Sequence, residues 1–216
     1  MNASGQKLLV IQAAALSRQV AADGLTFAPL ETVFPAVTCS VQASLRTALS
    51  PGEHGMVANG RYFPELHKVM FWEQSASLYS GERIWAQHRL RGGSAGQLFF
   101  QQSLGEAIDL TLSPAPIHKH HGGLIDTCYA TPADLYEALR AATHSQFKLR
   151  NYWGPLASPT VGDWIADATA ALLRDASRRP DVLFTYLPTL DYDLQRFGPD
   201  DPRCAKSYAA LERQLA

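Results

Sequence analysis

The sequence predicts an α/β fold in which a mostly parallel sheet is flanked by helices. Short apolar runs of strand length, bounded by Gly, Pro, Ser or Asp, are spread along the chain. Segments with apolar residues at helical spacing lie between them, and such alternation is typical of a parallel sheet. With 216 residues, 46% of them hydrophobic, the chain is long enough to bury a sizeable core. We therefore expect one domain over residues 1–216.

Four apolar runs are the predicted strands of this sheet. A strand of a parallel sheet is covered on both faces, so it reads as a nearly continuous apolar run. The predicted strands are Lys7–Ile11, Leu98–Gln101, Ile108–Leu112 and Val182–Tyr186.

Three helices are predicted between and after the strands. The first begins at Thr131, a capping residue, with Pro132 at the first helical position. The second is predicted over Val161–Arg178, and its apolar face consists of Trp164, Ile165, Ala168 and Leu172. The last residues, 201–216, predict a helix without a Gly, Asn or Pro stop signal. A chain truncated at the C-terminus and an ordinary C-terminal helix both fit that pattern.

The middle of the chain, about residues 60–155, has mixed periodicity and many aromatic, Gly and Pro residues. We predict that this irregular segment lines or caps a site at the carboxyl side of the strands, where open α/β sheets bind ligands.

Composition excludes several classes of function. The net charge of −1 gives no basis for binding the nucleic-acid backbone. The three cysteines are far apart in sequence and indicate no disulfide framework or cysteine-rich zinc site. Neither a long apolar run nor a signal peptide is recognisable, so we expect no membrane span and a cytoplasmic location.

The segment from Phe34 to Asn59 carries the most informative pattern. Thr38 follows an apolar run, where a strand would give way to a helix, and the pair His54-Gly55 and then Asn59 follow. A second motif, Tyr186-Leu-Pro-Thr-Leu-Asp191, follows a predicted strand and is closed by Gly198-Pro199. In this order the two motifs resemble those of the type I phosphodiesterase/nucleotide pyrophosphatase family of the alkaline phosphatase superfamily.

The resemblance implies an alkaline-phosphatase-like fold and a small-molecule phosphate ester, such as a phosphodiester or nucleotide pyrophosphate, as substrate. It implies that Thr38 is the nucleophile and a metal ligand, that Asp191 is a carboxylate ligand, and that Asn59 donates a hydrogen bond to a phosphoryl oxygen. The implied cofactor is zinc or another divalent metal. His54 is implied to be structural.

Two departures from the family pattern predict an incomplete metal site. The first strand of the family ends in a metal-binding Asp, and Ala14 is the equivalent here; a family His corresponds to Gln195. An amide is a poor zinc ligand. Possible substitute ligands are Gln195 itself and three histidines on a Gly-flanked loop, His118, His120 and His121.

These residues leave three hypotheses open. The first is a metal-assisted hydrolase that acts through Thr38. The second is a non-catalytic binding or accessory protein that has the same fold and a degenerate metal site. The third is an unrelated α/β domain that matches by chance. Cys39 offers an alternative thiol nucleophile, although a buried apolar role suits it better because no His partner is recognisable.

Overall fold

The computed structural model describes residues 6–16, 26, 28–153 and 155–216. Within them lie seven strands and seven α-helices. The strands are β1 (Leu8–Ala13), β2 (Gly60–Phe63), β3 (Lys68–Phe71), β4 (Ala95–Leu98), β5 (Leu110–Ser113), β6 (Tyr129–Thr131) and β7 (Val182–Leu187). The helices are α1 (Thr38–Thr47), α2 (Pro51–His54), α3 (Ala86–Leu90), α4 (Leu135–Thr143), α5 (Thr160–Arg174), α6 (Thr189–Phe197) and α7 (Ala205–Leu215).

The central sheet has five strands in the order β1-β7-β4-β5-β6. The three pairings among β1, β7, β4 and β5 are parallel, and only β6 is antiparallel to its neighbour. The prediction of a mostly parallel α/β sheet is therefore confirmed. Strands β2 and β3 form a separate antiparallel hairpin.

Helices cover both faces of the sheet. On one face Thr169 of α5 hydrogen bonds with Thr185 of β7. Gln97 of β4 is paired with Phe184, so it points to the opposite face, and there it accepts a hydrogen bond from Arg46 of α1. The predicted apolar face of α5 is confirmed, since Trp164, Ile165, Ala168 and Leu172 belong to the main hydrophobic core.

Three predicted boundaries were wrong. Helix α5 ends at Arg174, not Arg178. Strand β4 ends at Leu98, not Gln101, because Phe99 has a φ of 64°, which an extended strand cannot accommodate. Thr131 does not cap a helix: it is the last residue of β6, paired with Thr111, and α4 begins only at Leu135. Sheet pairing at Thr131 thus prevails over its local capping preference.

The segment 60–155 contributes three of the five central strands as well as connections at the carboxyl edge of the sheet. No helix among the described residues is both long enough and apolar enough to cross a membrane.

Candidate active site

Thr38 is the first residue of α1. The preceding residue, Val37, is extended and gives no side-chain cap, and the first turn contains no acidic residue. The amide groups at this end carry partial positive charge, which favours an anion. The hydroxyl of Thr38 therefore lies where a helix terminus can bind a negatively charged group.

Asn59 hydrogen bonds both with the start of α1 and with the segment that follows β3. Its side-chain Oδ1 accepts a hydrogen bond of 3.0 Å from the backbone N of Cys39. Its backbone oxygen accepts one of 2.9 Å from the N of Trp72. Because Oδ1 is fixed on α1, Nδ2 is the end of the amide that can donate to a ligand. Donation to a phosphoryl oxygen remains a prediction.

A cavity of about 170 Å³ adjoins Thr38 at the carboxyl edge of the sheet. It brings together three residues that the sequence singled out: Thr38, Asp191 and Gln195. The other described residues that line it are mainly aromatic: Trp72, Gln101, Tyr152, Trp153, Ala157, Tyr186, Pro188 and Tyr192.

Asp191 lies in the first turn of α6, just after β7. Its Oδ1 accepts a hydrogen bond of 2.6 Å from Nε2 of Gln195, one helical turn later. Burial raises the pKa of Asp191, and the bond from Gln195 opposes that rise only in part. The segment is helical, and Asp193, two residues further on, accepts a hydrogen bond from Ser207 of α7.

Three tyrosines, two buried and one partly buried, surround Thr38 and Asp191, and we did not predict them. Burial raises the pKa of Tyr152, Tyr186 and Tyr192 well above the usual range, and the charge of Asp191 adds to each rise. A hydrogen bond with Thr38 acts against this rise and lowers the pKa of Tyr186. The phenol of Tyr186 thus faces the threonine hydroxyl. The position of Tyr186 near the end of β7 was the one feature of the sequence that could have indicated this contact.

Gln101 is the remaining polar group of the cavity, and it is 2% exposed. Its Nε2 donates to the hydroxyl of Tyr152 (3.0 Å), and its Oε1 accepts from Gln74 (2.6 Å). The backbone oxygens of Gln101 and Gln102 accept hydrogen bonds from the fully buried guanidinium of Arg46. Arg46 therefore ties this connection to α1.

The three histidines proposed as substitute ligands do not lie with Thr38. His118 lines a larger neighbouring cleft of about 730 Å³, which shares Trp72 and Trp153 with the Thr38 cavity. His120 and His121 are exposed, and their rings contact each other at 4.6 Å between centroids.

The donor atoms at the site do not fit a two-metal centre. Ala14 follows β1, where its backbone N donates to Leu187, and its methyl group cannot ligate. Among the described residues, no group of three His, Cys, Asp or Glu side chains is placed to hold a metal ion. Asp191, the Thr38 hydroxyl and the neutral amide of Gln195 are the donors that remain.

Cys39 and His54 have structural surroundings. Cys39 is fully buried, and burial raises the pKa of its thiol to about 11, so it is a poor nucleophile near neutral pH. His54 is also buried; its Nδ1 accepts from the N of Met56, so Nε2 carries the proton and donates to Ser44.

Comparison with known proteins identifies the family. The model of the type I phosphodiesterase/nucleotide pyrophosphatase family matches residues 16–216. A search of curated protein sequences gives no significant match.

Solved structures share the fold at low sequence identity. Murine ectonucleotide pyrophosphatase/phosphodiesterase 5, as an inactive variant in complex with AMP, has a TM-score of 0.61 and 18% identity, over 97% of this chain and 50% of that one. Phosphonoacetate hydrolase from Sinorhizobium meliloti 1021, in complex with phosphonoacetate, has a TM-score of 0.52 and 16% identity, over 86% of this chain and 42% of that one. The chain thus spans half the length of these neighbours or less.

Proposed function

Because the chain belongs to the type I phosphodiesterase/nucleotide pyrophosphatase family, we propose that it is a phosphoric ester hydrolase in which Thr38 is the nucleophile. The observation that carries the proposal is the position of Thr38. Its hydroxyl stands at the start of α1, beside a cavity that also contains Asp191. The substrates we propose are small phosphate esters, phosphodiesters or nucleotide pyrophosphates.

In the proposed reaction the Thr38 oxygen bonds to phosphorus as the bond from phosphorus to the leaving oxygen breaks. The hydroxyl proton is released to water, and a second water molecule then hydrolyses the phospho-threonine. The amide groups of α1 and Nδ2 of Asn59 would stabilise the charge that develops on the phosphoryl oxygens.

Members of this family are generally dependent on divalent metal ions. Metal assistance, by zinc or another divalent cation, is therefore part of the proposal, and Asp191 and Thr38 are the residues that would hold an ion. The described donors do not complete a two-metal centre, so we expect weak or single-site binding by this chain. A cytoplasmic location also remains a prediction.

A second candidate function is ligand binding without catalysis. It is favoured by Ala14 and Gln195, which stand where the family has metal ligands.

Turnover of bis-p-nitrophenyl phosphate tests the proposal. Wild type and variants are assayed with Mg²⁺, Mn²⁺ and Zn²⁺ in turn. We expect Thr38→Ala to reduce any turnover by at least about a thousandfold, since it removes the nucleophile, and Thr38→Ser to restore part of it. Cys39→Ala is the matched control and is expected to stay close to wild type.

The reverse result, with Cys39 essential and Thr38 dispensable, would replace this proposal by a thiol mechanism. A wild type without turnover in any of the three metals would favour the non-catalytic candidate.

A further inference from the structure

The charges around the Thr38 cavity are unbalanced. Asp191 is the one acidic residue among its described lining residues, and none of those is Lys, Arg or His. The hydrogen bond that Asp191 accepts comes from the neutral amide of Gln195. Among the residues that the structure describes, the cavity therefore contains a carboxylate and no side chain of opposite charge.

A phosphate group beside Thr38 would share this small cavity with the Asp191 carboxylate. A phosphate monoester carries about 1.5 to 2 negative charges at pH 7, whereas the start of a helix such as α1 supplies only about half a positive charge. The repulsion between the phosphate and the carboxylate is stronger in a partly buried site than in water. The side chains of the cavity therefore oppose the ligand that the proposed function requires.

A divalent cation alone is also held poorly by these residues. Its ligands would be the carboxylate of Asp191 and neutral oxygens such as the hydroxyl of Thr38. Zinc sites use three or four ligands from His, Cys and carboxylates, and no group of three such side chains is assembled in the described part of the chain. The donor atoms therefore do not fit the resident zinc ions that the family resemblance implies.

Magnesium ions use a different type of site. Mg²⁺ keeps several of its waters and is usually bound through one or two carboxylates together with phosphate oxygens of the substrate. The metal-ligating atoms that the described lining residues offer are oxygens of carboxylate, amide and hydroxyl groups, which suit Mg²⁺. The volume of about 170 Å³ is below the range of about 300–1,000 Å³ of pockets for whole drug-sized ligands, and it suits a phosphoryl group with its ion.

We propose that the Thr38 cavity has no resident metal and binds a hydrated Mg²⁺ ion and the phosphate group of its ligand together, with Asp191 as the one carboxylate that holds the ion. The cation cancels the repulsion between Asp191 and the phosphate, and the phosphate supplies the ligands that the cation lacks. Each partner therefore raises the affinity for the other by the same factor. The choice of a phosphate ligand rests on the proposed function, and the need for a cation rests on the charges of the cavity.

Isothermal titration calorimetry with AMP tests the proposal, with adenosine as the matched probe that lacks the phosphate. Each probe is titrated into the full chain in excess Mg²⁺ and in EDTA, with blank titrations into the same buffers without protein. We expect AMP to bind at least about tenfold more tightly in Mg²⁺ than in EDTA, and adenosine to bind equally in both. Neither Mg²⁺ nor Zn²⁺ alone should bind stoichiometrically at micromolar concentration.

Asp191→Asn should change AMP binding in two opposite directions. Without the carboxylate the repulsion is gone, so AMP should bind more tightly to the variant than to wild type in EDTA. The ion has also lost its ligand, so the enhancement by Mg²⁺ should disappear. Glu73→Gln is the matched control: Glu73 lines the neighbouring cleft and not the Thr38 cavity, so both wild-type affinities should remain. Circular dichroism of each variant separates a lost site from a lost fold.

Gln195→His tests the argument from the donor atoms. The variant places an imidazole one helical turn after Asp191, on the same side of α6. Zn²⁺ binding without AMP should become at least about tenfold tighter, because imidazole is a good zinc ligand, and Mg²⁺ binding should stay unchanged because Mg²⁺ prefers oxygen donors. Equal gains for the two ions would contradict the assignment.

Equal AMP affinity in Mg²⁺ and in EDTA would overturn the proposal, as would stoichiometric binding of Zn²⁺ or Mg²⁺ to wild type without AMP. An equal enhancement of adenosine binding, or no AMP binding in either buffer, would overturn it too. The proposed function fails separately, because Thr38→Ala should retain Mg²⁺-coupled AMP binding. That coupling without Thr38-dependent turnover overturns only the catalytic proposal, and Thr38-dependent turnover with AMP binding that is insensitive to Mg²⁺ overturns only this inference.

Discussion

The carboxylates at the two edges of the central sheet have opposite surroundings: those at one edge are paired with cations, and the one at the other edge is not. At the amino edge, Asp181 precedes β7 and accepts hydrogen bonds from Lys7, which precedes β1, and from Ser94, which precedes β4. Asp109 precedes β5 and forms an ion pair with Arg89. Lys7 and Ser94 lower the pKa of Asp181 well below its usual range.

At the carboxyl edge, Asp191 has no ion pair among the described residues; its neighbours are Gln195 and buried phenols, and its pKa is raised. The carboxylates of the amino edge join the starts of strands and stabilise the fold. A carboxylate that is buried without a countercharge opposes folding, and such groups cluster at functional sites. The contrast therefore supports the proposal that the functional site is at the carboxyl edge.

The largest effect on stability is expected for a substitution of Arg46, whose guanidinium hydrogen bonds with the backbone of the connection after β4. Replacement by Met removes hydrogen bonds to the backbone oxygens of Gln101 and Gln102 and leaves them buried without a donor. We expect the free energy of unfolding to fall by about 3–5 kcal/mol, measured by urea denaturation. Arg89→Met, at the more exposed pair with Asp109, is the control, with a loss of no more than about 1 kcal/mol. Similar losses for both variants would contradict the special role of Arg46.

A smaller loss is expected for Asp181→Asn. The variant weakens the bonds to Lys7 and Ser94 that join three strands, and solvent screens part of the charge, so about 1–2 kcal/mol is expected at pH 7. Because the pKa of Asp181 is lowered by folding, its contribution is present above its usual pKa and is lost as the pH falls through the lowered value. The deficit of the variant should therefore shrink in acid, as urea denaturation at several pH values will show. If the stability of Asp181→Asn were lower than that of wild type by the same amount at every pH, the ion pair of Asp181 with Lys7 would not be the cause.

The matching change at the other edge, Asp191→Asn, is expected to leave stability at pH 7 within about 0.5 kcal/mol of wild type or above it. Folding raises the pKa of Asp191, so its ionised form costs stability once the pH exceeds the ordinary pKa of the unfolded chain. Any gain from the variant should therefore disappear in acid, which urea denaturation across the same pH series measures. A loss as large as that of Asp181→Asn would mean that Asp191 is a structural carboxylate.

The smallest expected effect concerns Cys39, next to Thr38. With a thiol pKa of about 11 and full burial, the residue should react with iodoacetamide at pH 8 far more slowly than a free thiol does. Peptide mass spectrometry after timed alkylation measures this rate. Rapid modification of Cys39 in the folded chain would show an accessible thiolate and revive the thiol mechanism.

The sequence predicted those parts of the structure that depend on local patterns. Thr38, Asn59 and Asp191 belong to short motifs, and Asp191 directly follows strand β7 as predicted. The strand expected before Thr38 was wrong, because the described residues 28–37 form no strand. The apolar run 182–186 predicted β7 nearly to its limits, since a strand in the centre of a sheet is buried on both faces.

The aromatic lining of the Thr38 cavity was not predictable in the same way. Trp72, Tyr152 and Trp153 come from connections, and only tertiary packing places them beside Thr38. Trp72 and Phe99 also adopt positive φ values, which no propensity predicts for bulky residues. Because of Phe99, strand β4 ends at Leu98 and not at Gln101, and pairing of Thr131 with Thr111 displaced the start of α4.

The central claim, that the hydroxyl of Thr38 is the nucleophile, is tested most directly by trapping the covalent intermediate. The chain is mixed with bis-p-nitrophenyl phosphate, quenched in acid during turnover, digested and examined by mass spectrometry. We expect a p-nitrophenyl-phosphoryl or phosphoryl group on Thr38 in wild type, and none in Thr38→Ala. Turnover with the group on Cys39, or with the same adduct formed elsewhere in Thr38→Ala, would contradict the claim.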